Sequence, residues 1–284
     1  MLTLPSQFVL DSVLKDWLKE DVGRGDRTTD GLGELVHTEG RAIWRAKDYG
    51  VIAGLLIAKR GFELLDASVR FTSLAPDGTQ CEPDMVVAEI TGSLAALLTG
   101  ERLALNLAMR LSGIATLTRK FVDHIQDLPA QLVDTRKTTP GLRLLEKYAT
   151  TVGGARNHRL GLDDAIMIKD NHIAAAGGIG AANARIRQTM PYPLTIEVET
   201  ESLDQVEEAL AHNADIIMLD NLAIDTMRVA VERIRSHSAS VKIEASGNVS
   251  LETIREIAAT GVDFISSSAP ITQSKWLDLS MTVL

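Results

Sequence analysis

The apolar positions change their rhythm twice along the chain. Near the start, Phe8, Val9, Val13, Trp17 and Leu18 recur close to helical spacing behind Ser6, a residue type that caps helix N-termini, so the chain is expected to open with an amphipathic helix. From Arg41 to Gly92 the runs shorten. Ala42-Ile43-Trp44, Val69-Arg70-Phe71 and Met85 to Ile90 read as strands broken by Gly and Pro, with one helix around Leu55 to Leu65. Two helical stretches follow, Ser93 to Leu111 and Ile114 to Gln126, and a domain boundary is placed in or beside them. Beyond Gln131 the pattern becomes regular: strand candidates begin near Gln131, Ala165, Leu194, Asp215, Val241 and Asp263, at intervals of 34, 29, 21, 26 and 22 residues. All but the last lead into a segment of helical periodicity. Six units of βα length in series predict a parallel sheet closed, or nearly closed, into an α/β barrel, with a doubly wound open sheet as the alternative.

Composition narrows the classes of function. At 284 residues and 45% hydrophobic, the chain suffices for one large domain or two ordinary ones with full cores. The single Cys81 allows neither an internal disulfide nor a multi-cysteine metal site. With 29 basic against 38 acidic residues the net charge is −9, which disfavours a nucleic-acid partner. Met1 to Glu20 interleaves Asp11, Lys15, Asp16 and Lys19 with its apolar residues and so does not read as a signal peptide; no apolar run approaches the roughly 18 residues of a membrane span. A cytoplasmic protein with no membrane partner is the expectation. Against that acidic background, Gln131 to Leu160 holds six basic and two acidic residues, a local +4.

In a βα barrel, chemistry sits at the carboxyl ends of the strands. The predicted exits are Asp134-Thr135-Arg136-Lys137, Lys169-Asp170-Asn171-His172, Glu197-Val198-Glu199, Asp220-Asn221, Ser246-Gly247-Asn248 and Ser266-Ser267-Ser268. Five carry a charged group on or next to the exit. Arg136, Lys137, Arg159 and Lys169, with His158, are cations of the kind that hold carboxylates and phosphates. Glu199 and Asp220 are hard oxygen ligands suited to Mg²⁺, whose shell substrate phosphates commonly complete. Glu197 and Glu199 share a strand face. Ser246-Gly247-Asn248 before a helix resembles a phosphate cradle. The same groups could instead form an ion-pair belt with no catalytic role; their joint placement at strand exits favours a phosphate-bearing, polyanionic substrate with magnesium. Gly23-Arg-Gly-Asp-Arg-Thr28 and Gly178-Ile-Gly-Ala-Ala-Asn183 lack the third glycine of a dinucleotide fingerprint, and no P-loop is present.

Longer motifs carry a resemblance. Asp134-Thr-Arg-Lys-Thr-Thr-Pro-Gly-Leu-Arg143, Gly153-Gly-Ala-Arg-Asn-His-Arg159 and Ile168-Lys-Asp-Asn-His172 closely resemble the quinolinate phosphoribosyltransferase family of NAD biosynthesis. So do Glu20 to Thr29, Glu101-Arg102 with Asn106, Ile196 to Glu199, Leu219-Asp-Asn221, Glu244-Ala-Ser-Gly247 and Leu277 to Met281, in order over essentially the whole chain. The resemblance implies an N-terminal α/β sandwich, residues 1–111, to which the tail 271–284 returns, and an open α/β, TIM-like barrel over 112–270. It implies a decarboxylating phosphoribosyl transfer: quinolinate and phosphoribosyl pyrophosphate give nicotinate mononucleotide, pyrophosphate and CO₂, with Mg²⁺. A homodimer or higher homo-oligomer shares its sites between subunits. By matching position, Thr135, Arg136, Lys137, His158 and Arg159 correspond to the quinolinate pocket, with Arg102 arriving from the partner subunit. Lys169, Glu199 and Asp220 correspond to the phosphoribosyl and metal side, with Lys137 also catalytic. Ser246, Gly247 and Asn248 correspond to holders of the 5-phosphate. Ile265 to Gln273 departs from the family pattern, with Ser268 in place of a glycine and no histidine, and Ser267 and Ser268 stand there as candidate phosphate contacts. Rival readings are a paralogous transferase with another acceptor, a barrel lyase using Lys169 as a Schiff-base nucleophile, and a silent binding protein.

Overall fold

The computed structural model describes residues 4–284; residues 1–3, the first of the expected N-terminal domain and of the segment weighed as a signal peptide, lie outside it. The chain forms two compact units. One runs to Arg119 and takes in Thr139–Gly154 and Gln273–Leu284; the other comprises Lys120–Thr138 and Ala155–Thr272. Among the described residues no helix is long and apolar enough to cross a membrane.

The first unit is a four-stranded antiparallel sheet in the order Leu279–Val283, Glu39–Ala46, Val86–Ser93, Arg70–Ser73. Trp44, Phe62 from the helix Leu55–Leu65 and Phe71 pack as its aromatic centre, with Trp44 edge-on to Phe71 at 5.6 Å between ring centroids. The opening helix, Gln7–Val22, forms as its spacing predicts, but its buried stripe is Leu10, Leu14 and Leu18. This four-residue ladder leaves the expected Phe8 and Val9 exposed. Ser6 stands at the N-cap without a side-chain bond. The two helical stretches after Gly92 are one helix, Leu94–Asp123, so the expected break at 111/112 falls inside continuous structure. Ser112 stays helical because its hydroxyl exchanges bonds with Ala53 N–H and C=O, at 2.9 and 3.1 Å. Gly113 serves close approach: a Cβ there would lie 1.9 Å from the Lys275 carbonyl oxygen.

The second unit carries a six-stranded sheet in the order Gln131–Val133, Phe264–Ser266, Lys242–Ser246, Ile216–Asp220, Ile196–Thr200, Ile166–Ile168. Every pairing is parallel. From Ile166 onward each strand lies beside its predecessor in sequence, and the last lies beside the first, Gln131–Val133. That cyclic order has no point of reversal, which distinguishes an open α/β barrel from the doubly wound alternative. The opening falls between Gln131–Val133 and Ile166–Ile168, where a single parallel bridge joins Val133 to Arg156. All six strands begin within two residues of their predicted starts.

Candidate active site

At the carboxyl ends of these strands lies a pocket of about 590 Å³. The predicted residues Thr135, Arg136, Lys137, His158, Arg159, Lys169, Glu199, Asp220, Ser246, Gly247 and Asn248 all line it. They converge because residues two apart on a strand point to the same side, so Glu197 and Glu199, or Glu244 and Ser246, enter the barrel together. Three expected residues do not line it. Arg102 lies on the helix Leu94–Asp123 with its side chain 61% exposed. The Ser267 hydroxyl turns inward, accepting from Ala269 N–H at 3.2 Å, and the Ser268 carbonyl receives the amides of Ile271 and Thr272. Here the chain turns directly into the short helix Ala269–Thr272, and its hydroxyl and carbonyl serve that turn.

The basic side is held by a buried carboxylate. Asp134 accepts from the His158 amide at 2.8 Å and from Asn157 Nδ2 at 2.7 Å, clamping the 157–159 segment to the first strand exit. Arg159 donates through Nη1 to the Ala165 carbonyl at 2.9 Å. Burial, followed by the like charge of Arg136, draws its guanidinium below the ordinary arginine range, with Glu197 opposing. Arg136 Nε is buried and meets no hydrogen-bond acceptor among the described residues. A guanidinium with an unanswered buried donor, beside a second guanidinium, calls for an anion.

The acidic side is poised differently. Lys169 Nζ lies 2.5 Å from Glu199 Oε2, and Asp220 Oδ2 accepts from Asn221 Nδ2 at 2.7 Å. The other oxygen of each carboxylate accepts no hydrogen bond among the described residues. Two carboxylates lining one pocket, each with an oxygen available, fit a hard cation whose remaining ligands are water and phosphate. Gly247 adopts φ +90°, and a Cβ there would fall 2.1 Å from Asn221 Oδ1, so only glycine closes this turn.

His158 lines the pocket with one ring edge toward two carboxylates. The Arg159 amide donates to its Nδ1 at 2.7 Å, so the ring proton sits on Nε2, which lies 3.1 Å from Glu197 Oε2 and 3.5 Å from Glu244 Oε2. These ligand atoms lie within 4.8 Å of one another, but the Nε2–H hydrogen bonds occupy the space between them. Glu244 lines the pocket and was not predicted as a site residue; neither were Met218 and Ser266. The available signal was an acid at the centre of an apolar strand, Ile243-Glu244-Ala245, matched by Ile196-Glu197-Val198.

Comparison with known proteins identifies the family of the chain. The family model for the quinolinate phosphoribosyl transferase N-terminal domain matches residues 26–112, and that for the C-terminal domain matches residues 114–282. The chain is 59% identical over 284 residues to a Synechocystis protein named probable nicotinate-nucleotide pyrophosphorylase (carboxylating), covering all of this chain and 96% of that one. A Bacillus subtilis protein of the same name is 45% identical over 274 residues, 96% of this chain and 93% of its own. The crystal structure of NadC from Streptococcus pyogenes superposes with a TM-score of 0.93 at 42% identity, covering 99% of each chain. With two domain models spanning nearly its whole length and full-length relatives above 30% identity, the chain belongs to the quinolinate phosphoribosyl transferase family.

Proposed function

We propose that this chain transfers the phosphoribosyl group of phosphoribosyl pyrophosphate to the ring nitrogen of quinolinate, with loss of pyrophosphate and CO₂, to give nicotinate mononucleotide. The observation that carries this reading is the unanswered buried Nε of Arg136 beside Arg159 in a pocket whose opposite wall holds two carboxylates with oxygens to spare. In this reading Arg136, Lys137 and Arg159, with His158 beside them, hold the two quinolinate carboxylates, Thr135 borders them, and Lys169, paired with Glu199, serves the phosphoribosyl side. Ser246, Gly247 and Asn248 seat the 5-phosphate. Arg102 reaches the pocket of a second copy in a homodimer or larger assembly.

Glu199 and Asp220 would hold Mg²⁺. Bound there, the ion would offset the charge of departing pyrophosphate. The quinolinate nitrogen lone pair forms the bond to the sugar C1 as the C1–O bond breaks, its electrons leaving with pyrophosphate. The sugar gains cationic character on the way, and Glu199 and Asp220 stabilise that charge more than they stabilise the ground state. The bond from the ring to the 2-carboxylate then breaks, CO₂ leaves, and the pair left on carbon takes a proton. No covalent nucleophile is needed, so orientation and fixed charge are the protein's share. A Schiff-base role for Lys169 fits poorly with an ammonium engaged by Glu199 at 2.5 Å.

The test is incubation with quinolinate, phosphoribosyl pyrophosphate and Mg²⁺ with chromatographic detection of nicotinate mononucleotide. Its formation supports the reading. No product from quinolinate, with product from nicotinate, would overturn the acceptor assignment.

A further inference from the structure

The reaction written above uses every charged group lining the pocket except two, Asp134 and Glu244, and Asp134 is accounted for by its clamp on the 157–159 segment. Glu244 sits at the middle of the strand Lys242–Ser246, 3% exposed, and its Oε1 is buried without a hydrogen-bond partner. The same holds for Oε1 of Glu197, 4% exposed, on the next strand but one. Two carboxylates therefore face one imidazole at the pocket floor. The imidazole turns only its Nε2 toward them, because Nδ1 faces the Arg159 amide, so one ring nitrogen answers two acids. Two buried carboxylates that share one imidazole nitrogen, each with an oxygen that meets no donor, form an arrangement proteins relieve by retaining a proton.

We infer that Glu244 is a positioning residue that serves the proposed reaction as a neutral acid, keeping one negative charge off the pocket floor and, with Glu197, holding His158 by its Nε2–H. The inference rests on the reading given above. His158 so held receives the Arg159 amide, and the same turn is clamped by Asp134, so the floor sets the backbone from which Arg159 reaches its anion. Ionised, Glu244 would place a second negative charge beneath a substrate that is itself a dianion. Its environment agrees: burial first, then the charge of Glu197, pushes the Glu244 carboxyl up to about 7, while His158, the Ser266 hydroxyl and Lys169 act in the opposite direction. These are the groups that face it from the neighbouring elements: Glu197 from Ile196–Thr200, His158 from the 157–159 segment, Lys169 beyond Ile166–Ile168, and Ser266 from Phe264–Ser266. Its ladder partners Met218 and Phe264 carry no charge.

The experiment compares wild type and Glu244→Gln with quinolinate, phosphoribosyl pyrophosphate and Mg²⁺ from about pH 6 to about pH 9, separating kcat from KM. Gln reproduces the neutral acid in shape and cannot ionise. Wild type is expected to lose about tenfold in kcat/KM for quinolinate above neutrality, through KM, as Glu244 ionises. The variant is expected to hold its KM within about twofold over the same range and to match wild type at the acid end within about threefold. An alkaline rise in KM that persists unchanged in the variant overturns the proposal, and so does a wild type with no such rise. Should the variant fold poorly, carboxyl carbon resonances of the substrate-free wild type decide: one Glu titrating near neutrality supports the inference, and all Glu titrating in the ordinary carboxylate range overturns it. That titration needs no turnover. If no nicotinate mononucleotide forms at any pH, the proposed reaction fails while the state of Glu244 is still measured.

Discussion

The proton on Glu244 has a thermodynamic consequence that can be measured without substrate. Burial, and then the charge of Glu197, pushes the Glu244 carboxyl from the ordinary 4.5 up to about 7. Between those values the folded chain binds one more proton than the unfolded chain, so stability falls as pH rises through this window and is level above it. The interval of about 2.5 units corresponds to about 3 kcal/mol at 1.36 kcal/mol per unit. Because the side chain is 3% exposed, solvent screening takes little from that figure. Glu244→Gln removes the titration, so the stability difference between variant and wild type should move in the variant's favour by about 3 kcal/mol from pH 4.5 to pH 7.5. Groups remote from Glu244 cancel in this difference, including Asp77, whose carboxyl burial also raises. The assay must read the barrel. Trp17, Trp44 and Trp276 all lie in the first unit, so fluorescence reports elsewhere. Hydrogen exchange of the amides of Lys242–Ser246, corrected for intrinsic rates, reads the barrel directly. A stability difference that stays constant with pH would show that folding leaves the Glu244 carboxyl titrating as it does in the unfolded chain, and the account of the pocket floor would fall with it.

Three further outcomes follow from single features. Glu146 is fully buried and accepts from Arg110 Nη2 at 2.7 Å, Thr139 N–H at 2.8 Å and the Thr139 hydroxyl at 2.9 Å; Glu146→Ala should cost the first unit about 3–5 kcal/mol in a urea titration followed by tryptophan fluorescence, and a loss below about 1 kcal/mol would refute this. Gly247→Ala introduces both left-handed backbone strain and the 2.1 Å approach to Asn221; it should raise KM for phosphoribosyl pyrophosphate at least tenfold, about 1.4 kcal/mol, with KM for quinolinate little changed, and equal effects on both would argue against a phosphate cradle. Asp220→Asn keeps shape but removes charge, so the Mg²⁺ concentration for half-maximal rate should rise about tenfold or more; an unchanged magnesium dependence would remove Asp220 from the metal site.

What the sequence revealed of this protein divides along a physical line. Strand exits are legible because the barrel topology fixes where they go: once the repeat is recognised, Arg136, Lys169, Glu199, Asp220 and Gly247 are addressed to one mouth by chain position alone. Interior and turn positions are not. Ser267 and Ser268 lie at an exit, but the immediate entry into Ala269–Thr272 takes up the Ser267 hydroxyl and the Ser268 carbonyl. The stripe of the first helix was misjudged because Phe8 and Leu10 both fit a loose helical spacing, and tertiary packing selects between them. Nor does the sequence show that Glu197 and Glu244, 47 positions apart, meet at one edge of His158.

The charge that first drew notice also changes meaning. Of the six basic residues between Gln131 and Leu160, only Arg136, Lys137 and Arg159 line the pocket; Arg143 and Lys147 belong to the helix Arg143–Gly153 of the first unit, where Lys147 is 1% exposed. Adding Lys169 gives four cations, against four lining carboxylates, Asp134, Glu199, Asp220 and Glu244. Fully ionised, the mouth is neutral, and it would hold a dianion and a pyrophosphate ester poorly. Two adjustments turn it positive where it matters: a divalent cation on Glu199 and Asp220, and a proton on Glu244. The first is expected of any phosphoribosyl site with this donor set; the second is written only in the burial of one strand residue, and it makes the affinity for quinolinate a property of the barrel floor as much as of its basic rim.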